Sequence, residues 1–156
     1  MRLLWIIALA VFALDQAIKV YVVRILGLAD RLWLDVWPPY LNLRMAWNRG
    51  VNFGLFSDGA GAGRWILIAI ALAISAGVVI WMARGRHGRL ALASAGLLVG
   101  GALGNALDRV IYGAVADFLN MSCCGIDNPY AFNVADIAIF AGALGLVAFT
   151  GRDKTP

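Results

Sequence analysis

Every one of the nine acidic residues in this chain of 156 is an aspartate, and two of them stand in runs that otherwise avoid water. Asp136 lies in Ala131-Phe132-Asn133-Val134-Ala135-Asp136-Ile137-Ala138-Ile139-Phe140, and Asp117 in Val115-Ala116-Asp117-Phe118-Leu119. An ionised side chain in apolar surroundings costs several kcal/mol unless it is paired, so each marks either a buried partner or a function. Two carboxylates brought together cannot both ionise cheaply; one pKa rises and the pair shares a proton. Such a pair is a base and an acid at once. One oxygen takes a proton from water as the water attacks a peptide carbonyl, and the other protonates the carbonyl oxygen or, later, the leaving amine. No Ser, His and Asp set competes, because the single histidine, His87, lies in a basic stretch remote from both aspartates. Spacing alone leaves two readings open, a catalytic pair or two structural carboxylates.

Other polar residues recur at helical spacing. Asp15 and Lys19 are four apart, as are Asn105 and Arg109, while Asn133 and Asp136 are three apart. Asp15 with Lys19, and Asp108 with Arg109, read most simply as ion pairs. Asn133 suits a helix N-cap. Cys123 and Cys124 are adjacent, which disfavours an ordinary disulfide between them, and no histidine stands near enough to complete a metal site. They read as small, buried loop residues. Nothing points to a metal, a cofactor, a nucleotide or a nucleic-acid partner.

The elements that must position these residues are set by composition. With 62% hydrophobic and 14% charged side chains and a mean hydropathy of +0.81, the chain lies outside the range of soluble domains and reads as a membrane protein. Four apolar segments, at about 3–23, 64–83, 90–110 and 133–150, approach the roughly 20 residues that cross about 30 Å of hydrocarbon. An insert at 24–63 separates the first two. Its alternation Leu41-Asn42-Leu43-Arg44-Met45 and the Trp33–Trp37 run predict short strands, with Pro38-Pro39 as a breaker and Ser57-Asp58-Gly59 as a turn. The whole chain, 1–156, reads as one domain: a four-helix membrane bundle carrying a small β element. Arg2, the apolar run after it and Ala8-Leu9-Ala10 imitate a cleavable leader, but apolar character resumes through Val23, which predicts an uncleaved first span. Trp33, Trp37 and Trp47 suit an interfacial aromatic belt.

Basic residues orient the bundle. Arg84, Arg86 and Arg89 crowd the loop between spans two and three, whereas the arginines of the insert are interspersed with Asp30, Asp35 and Asp58. The positive-inside tendency then places both termini, with Arg2, Arg152 and Lys154, in the cytoplasm, and faces the insert and the 111–132 loop outward. In that topology Asp15 and Lys19 fall in the outer half of span one. Asn105, Asp108 and Arg109 close the outer end of span three, and Asn133 and Asp136 open span four from the same side. Gly96, Gly100, Gly104 and Asp108 recur every four residues, a small-residue stripe that admits a neighbouring backbone and draws Asp108 and Arg109 into the bundle.

Five stretches, in order, carry a family pattern: Leu14-Asp15-Gln16 with Lys19; Asn48-Arg49-Gly50-Val51-Asn52-Phe53; Gly101-Ala102-Leu103-Gly104-Asn105-Ala106-Leu107-Asp108-Arg109; Val115-Ala116-Asp117-Phe118; and Phe132-Asn133-Val134-Ala135-Asp136. Over essentially its whole length the chain resembles signal peptidase II, the lipoprotein signal peptidases. The resemblance implies an aspartic peptidase of the bacterial inner membrane with four transmembrane helices and a periplasmic β-cradle. It implies removal of the signal peptide from diacylglyceryl-modified prolipoproteins just before the lipidated cysteine, and inhibition by globomycin. Matched by motif, Asp117 and Asp136 are the catalytic pair. Asn48, Gly50, Asn105, Arg109 and Asn133 line the site or bind substrate, Asp15 and Lys19 support it, and Asp108 is a structural partner. Cys123-Cys124 and the loop between Asn120 and Tyr130 have no place in the pattern.

A reading from another class is a small transporter or proton channel that uses its buried aspartates as a relay. Such a protein needs a midplane site open to both faces. Here span two and the inner halves of spans three and four carry nothing ionisable between their ends.

Overall fold

The computed structural model describes residues 1–50 and 62–150. The expected Ser57-Asp58-Gly59 turn, the Asn52-Phe53 part of the second motif, and Arg152 and Lys154 lie outside the described residues. Helix α1 (Arg2–Val20) continues through a π-helical turn, Tyr21–Ile25, into the short α2 (Leu28–Arg31). Strands β1 (Trp33–Trp37) and β2 (Leu41–Asn48) follow, then α3 (Ala62–Arg84), α4 (Arg89–Tyr112), β3 (Val115–Asn120) and α5 (Val134–Thr150). Three helical stretches, Arg2–Ile25, Ala62–Arg84 and Arg89–Tyr112, are long and apolar enough to cross a membrane. The fourth, α5, is apolar but has 17 residues, about 25 Å at 1.5 Å per residue.

Helix α4 is the axis of the bundle and packs against α1, α3 and α5. Its glycines explain how closely. A methyl group at Gly96 would stand 2.6 Å from the Leu4 carbonyl, one at Gly104 2.7 Å from Asp15 Oδ2, and one at Gly100 against the Ala8 carbonyl, so α1 rests directly on the stripe. On another side of α4, Gly101 faces the Ala135 carbonyl in the same way, and Gly142 of α5 returns the contact at Leu98. Dispersion and close backbone approach hold such a bundle where water does not drive association. Helix α3 buries only Ile68, Ser75 and Met82 and exposes Trp65, Ile66, Ile70, Leu72 and Ile74, a surface that suits hydrocarbon rather than water.

The sheet is three-stranded and antiparallel, in the order β1-β2-β3. Both strands expected in the insert are present, with Tyr40 N–H closing the turn on Trp37 at Pro38-Pro39. Strand β3 was expected as part of an outer loop and is a strand instead. Its residues are almost all buried, so no alternation of polar and apolar positions marks it in the sequence. The sheet covers the C-terminal end of α1, where Val22, Val23 and Leu28 pack with Leu43, Met45, Ala116 and Phe118 into a core separate from that of the helices. Ala46 pairs with Asp117 and Asn48 with Val115, which carries the end of β2 to the carboxylate of β3. Beyond β3 the chain turns back. Asn120 Nδ2 ties down the carbonyls of Asn128 (2.7 Å) and Tyr130 (2.8 Å), and Phe132 exchanges backbone hydrogen bonds with Leu119, which sets Asn133 beside β3 at the start of α5.

Candidate active site

Asp117 and Asp136 meet through one amide. Asn133 Nδ2 donates to Asp117 Oδ1 at 2.6 Å, while Asn133 Oδ1 accepts the Asp136 N–H at 2.9 Å and Asp136 Oδ2 accepts the Asn133 N–H at 3.1 Å. The last two bonds form a reciprocal capping box at the head of α5. Asn133 is therefore the expected N-cap, and the cap itself aims the amide nitrogen at Asp117, because its oxygen is already taken by the helix.

The same logic orients two more asparagines. Asn48 Oδ1 accepts the N–H of Gly50 at 2.9 Å, which leaves Asn48 Nδ2 to donate to Asp117 Oδ2 at 3.0 Å. Gly50 adopts φ +87, a left-handed conformation that favours glycine, so the turn and the amide orientation depend on one another. Asn105 Oδ1 accepts from Lys19 Nζ and from Asn133 Nδ2, each at 3.1 Å, and its own Nδ2 donates to Asp136 Oδ1 at 2.8 Å. Three amide groups thus present N–H to two carboxylates. Asp117 is only 3% exposed. Burial, with the nearby Asp136 charge adding to it, outweighs the bonds from Asn48 and Asn133 and pushes its carboxyl up to about 6.

Beneath the pair lies a buried polar cluster. Lys19 Nζ stands 2.8 Å from both Asp15 Oδ2 and Asp108 Oδ2, and all three side chains are almost fully enclosed. The ion pair of Asp15 with Lys19 was expected. That of Asp108 with Arg109 does not form: consecutive helical residues point about 100° apart, and the glycine stripe turns Asp108 toward α1 and Lys19. Arg109 instead donates from Nη1 to the Asn105 carbonyl at 3.1 Å, and its Nε is buried without a hydrogen-bond partner. Gln16, which was given no role beyond its motif, spans Asp15 (3.2 Å), Asp108 (3.0 Å) and the Gly104 carbonyl (3.3 Å) through Nε2. Its place in the Leu14-Asp15-Gln16 motif was the available signal, since the side of α1 that faces α4 cannot be read from the sequence.

A cavity of about 230 Å³ is lined by Trp47, Arg49, Tyr112 and Ala114. The Trp47 and Tyr112 rings meet at a tilt of 50° with centroids 5.4 Å apart, and Arg24 reaches the Tyr112 hydroxyl at 3.3 Å. Trp47 thus packs on an aromatic neighbour as well as facing outward. His87 lies between α3 and α4, at the opposite end of those helices from both aspartates, against the Trp81 ring. Cys123 and Cys124 are exposed rather than buried, in a turn closed by Ile126 N–H on the Cys123 carbonyl. The apolar side chains around them, Met121, Ile126 and Tyr130, are themselves exposed and do not fold over the cysteines. Among the described residues no group of three or more His, Cys, Asp or Glu side chains is disposed to hold a metal ion.

Comparison with known proteins agrees over nearly the whole chain. Residues 7–151 match the family model described as signal peptidase (SPase) II. The lipoprotein signal peptidase of Methylorubrum extorquens (strain PA1) is 47% identical over 141 residues, covering 89% of this chain and 80% of that protein. That of Pseudomonas putida KT2440 is 38% identical over 155 residues, covering 98% and 90%. A bacterial membrane enzyme solved by the in meso method at 1.9 Å resolution superposes with a TM-score of 0.78 at 27% identity, covering 96% of this chain and 92% of that one. A second, at 2.3 Å resolution, gives 0.74 at 26%, covering 96% and 88%.

Proposed function

This chain belongs to the signal peptidase II family, and from that premise we propose that it is an aspartic endopeptidase that frees prolipoproteins of their signal peptides just before the diacylglyceryl-modified cysteine. The observation that carries the catalytic assignment is the convergence of Asp117 and Asp136 on Asn133. The pair shares one proton. With its carboxyl raised to about 6, Asp117 holds that proton, and Asp136 takes one from the attacking water. The water oxygen bonds to the scissile carbonyl carbon while Asp117 protonates the carbonyl oxygen. In the second half Asp136 returns its proton to the leaving amine of the cysteine, the C–N bond breaks, and Asp117 recovers its proton from the gem-diol hydroxyl. Both carboxylates end as they began, and the signal peptide leaves as a carboxylic acid. Asn48, Asn105 and Asn133 keep the four carboxylate oxygens at fixed positions through these transfers.

Position favours this substrate. The diacylglyceryl chains keep the cysteine at the membrane surface, where α5 begins with Asp136 two residues inside it. In this reading the chain has four spans with both termini in the cytoplasm and the pair at the periplasmic face of the inner membrane, an orientation that the run of Arg84, Arg86 and Arg89 at the other end supports. Acyl chains remain in lipid while the peptide reaches the pair between helices and sheet, with Arg109 and Gly50, which the family resemblance gives to the site, along its path. Globomycin, which the family resemblance implies as an inhibitor, would compete at the same place. A transporter or proton relay gains no support, because the buried ionisable side chains gather at one end of the helices rather than crossing them. The deciding experiment is cleavage of a diacylglyceryl-modified prolipoprotein by purified protein in detergent, beside Asp117→Asn and Asp136→Asn. Cleavage by wild type alone is expected; a folded Asp variant that still cuts would sink the catalytic assignment.

A further inference from the structure

Each candidate catalytic aspartate is preceded by a residue whose backbone N–H is held by a carboxylate from a different helix. Ala135, just before Asp136, donates to Asp15 Oδ1 of α1 at 3.0 Å. Ala116, just before Asp117, donates to Asp108 Oδ2 of α4 at 3.2 Å. The two acceptors are joined to each other: Lys19 Nζ contacts both at 2.8 Å, and Gln16 Nε2 reaches both. We propose that Asp15 and Asp108 are a matched pair of positioning residues, clamped by Lys19, which set the spacing of Asp117 and Asp136 by anchoring the peptide N–H immediately before each. The proposal rests on the catalytic reading above and adds to the ion pair a task for each carboxylate.

A buried ion cluster is an expensive way to obtain stability, since well-packed apolar residues of similar volume often serve as well or better. Here two acids surround one base, an imbalance that stability alone does not call for. It is accounted for if each acid has a separate N–H to hold. The residues being anchored lie on β3 and α5, which approach the site from different directions and are joined by a loop with exposed cysteines at its tip. The Phe132–Leu119 pairing and Asn133 tie β3 to the head of α5, and the two anchors fix that assembly against the bundle at a point next to each carboxylate. Both anchors refer to the α1–α4 seam, where Gly96, Gly100 and Gly104 hold the two helices at backbone contact. Asn105 joins the clamp to the pair directly, accepting from Lys19 and donating to Asp136.

The test compares Asp15→Ala and Asp108→Ala with Asp15→Asn and Asp108→Asn, measuring kcat and KM per folded molecule on a lipid-modified prolipoprotein. Each single Ala variant leaves Lys19 one carboxylate partner, so the charge cluster stays balanced, but one N–H anchor is gone. The Asn variants keep an acceptor oxygen. Displacing a reacting group by about 1 Å costs on the order of 100-fold, so the Ala variants should lose ~100-fold in kcat. Their KM should move less than about threefold, the pattern of a lost transition-state arrangement. The Asn variants should recover most of that rate. A purely structural role lowers the melting temperature and yield and leaves kcat per folded molecule alike in all four, which would overturn the proposal. If an Ala variant does not fold, Gly104→Ala displaces Asp15 without removing it, since its methyl would stand 2.7 Å from Asp15 Oδ2. The same loss of kcat is expected there, and unchanged kcat refutes the anchor. A wild type inert on good substrate, or a cutting Asp117→Asn, strikes instead at the catalytic reading.

Discussion

At the scale of single residues, Asp117 and Asp136 differ in their surroundings more than their similar sequence contexts suggest. Asp117 is enclosed and receives amide N–H on both oxygens, whereas Asp136 heads a helix and is partly open. Replacing either by Asn should lower turnover by at least about 100-fold, the lower end of what general acid–base groups contribute, with the fold retained in a melting assay. Because Asp117 loses its proton near pH 6, kcat/KM should fall as pH rises through about 6 on the free enzyme. The stability consequence has the same sign. A carboxyl whose folded pKa exceeds its unfolded 3.8 stabilises the fold fully below that value and loses its contribution as pH climbs through about 6. The difference in melting temperature between pH 4 and pH 7 should therefore shrink in Asp117→Asn; an unchanged difference would mean that this carboxyl does not titrate there. In the sequence, the residue types and the i,i+4 and i,i+3 spacings were enough to single out Asp15, Lys19, Asn105, Asn133 and Asp136. They did not reveal that Lys19 serves Asp108, since side-chain direction across two helices is absent from one-dimensional spacing.

At the scale of elements, the site depends on two turns and one seam. Asn133→Ala removes both the cap of α5 and a donor to Asp117. Loss of the cap should cost about 1 kcal/mol in stability, read by thermal melting, and kcat should fall as well. Gly50→Ala asks an alanine to adopt φ +87 and sets its methyl against the Leu67 side chain, a strain of about 1–3 kcal/mol, so melting should fall, and with the Asn48 amide no longer held kcat per folded molecule should drop as well. Retained activity would show that Asn48 is oriented by something else. Gly100→Leu drives a side chain into the Ala8 carbonyl of α1. The opposing atom is backbone, so the helices must separate, at a cost of about 1–3 kcal/mol or more. The stripe was legible because a four-residue period is a helical period. Strand β3 was not, because a strand buried on both faces has no alternation to detect, and only pairing with β2 reveals it.

At the scale of the whole molecule, a bundle seated in apolar solvent carries a small sheet over one end. The exposed faces of α1, α3 and α5 bear large apolar side chains, among them Leu9, Ile70, Phe140 and Val147. The sheet buries its own core against the end of α1, so it moves with that helix rather than hanging from a linker. Deleting part of Trp33 to Leu43 should slow turnover in detergent and in membranes, since the cover over the substrate path is lost. Unchanged kinetics would mean that the sheet is not part of the substrate clamp.

Composition and spacing by themselves marked the apolar helices and the polar residues that recur at helical spacing within them, because hydropathy and helical period are local properties of the chain; Asn48 and Gly50, and a role for Asp117 with Asp136, came only from the family resemblance. Composition and spacing could not determine which polar groups touch. Whether Asp117 meets Asp136, whether Asp108 turns to Lys19 or Arg109, and which way each asparagine amide faces are decided by contacts between residues far apart in the chain. Those contacts follow from the glycine seams and the β2–β3 register, and both exist only once the helices and the sheet have packed.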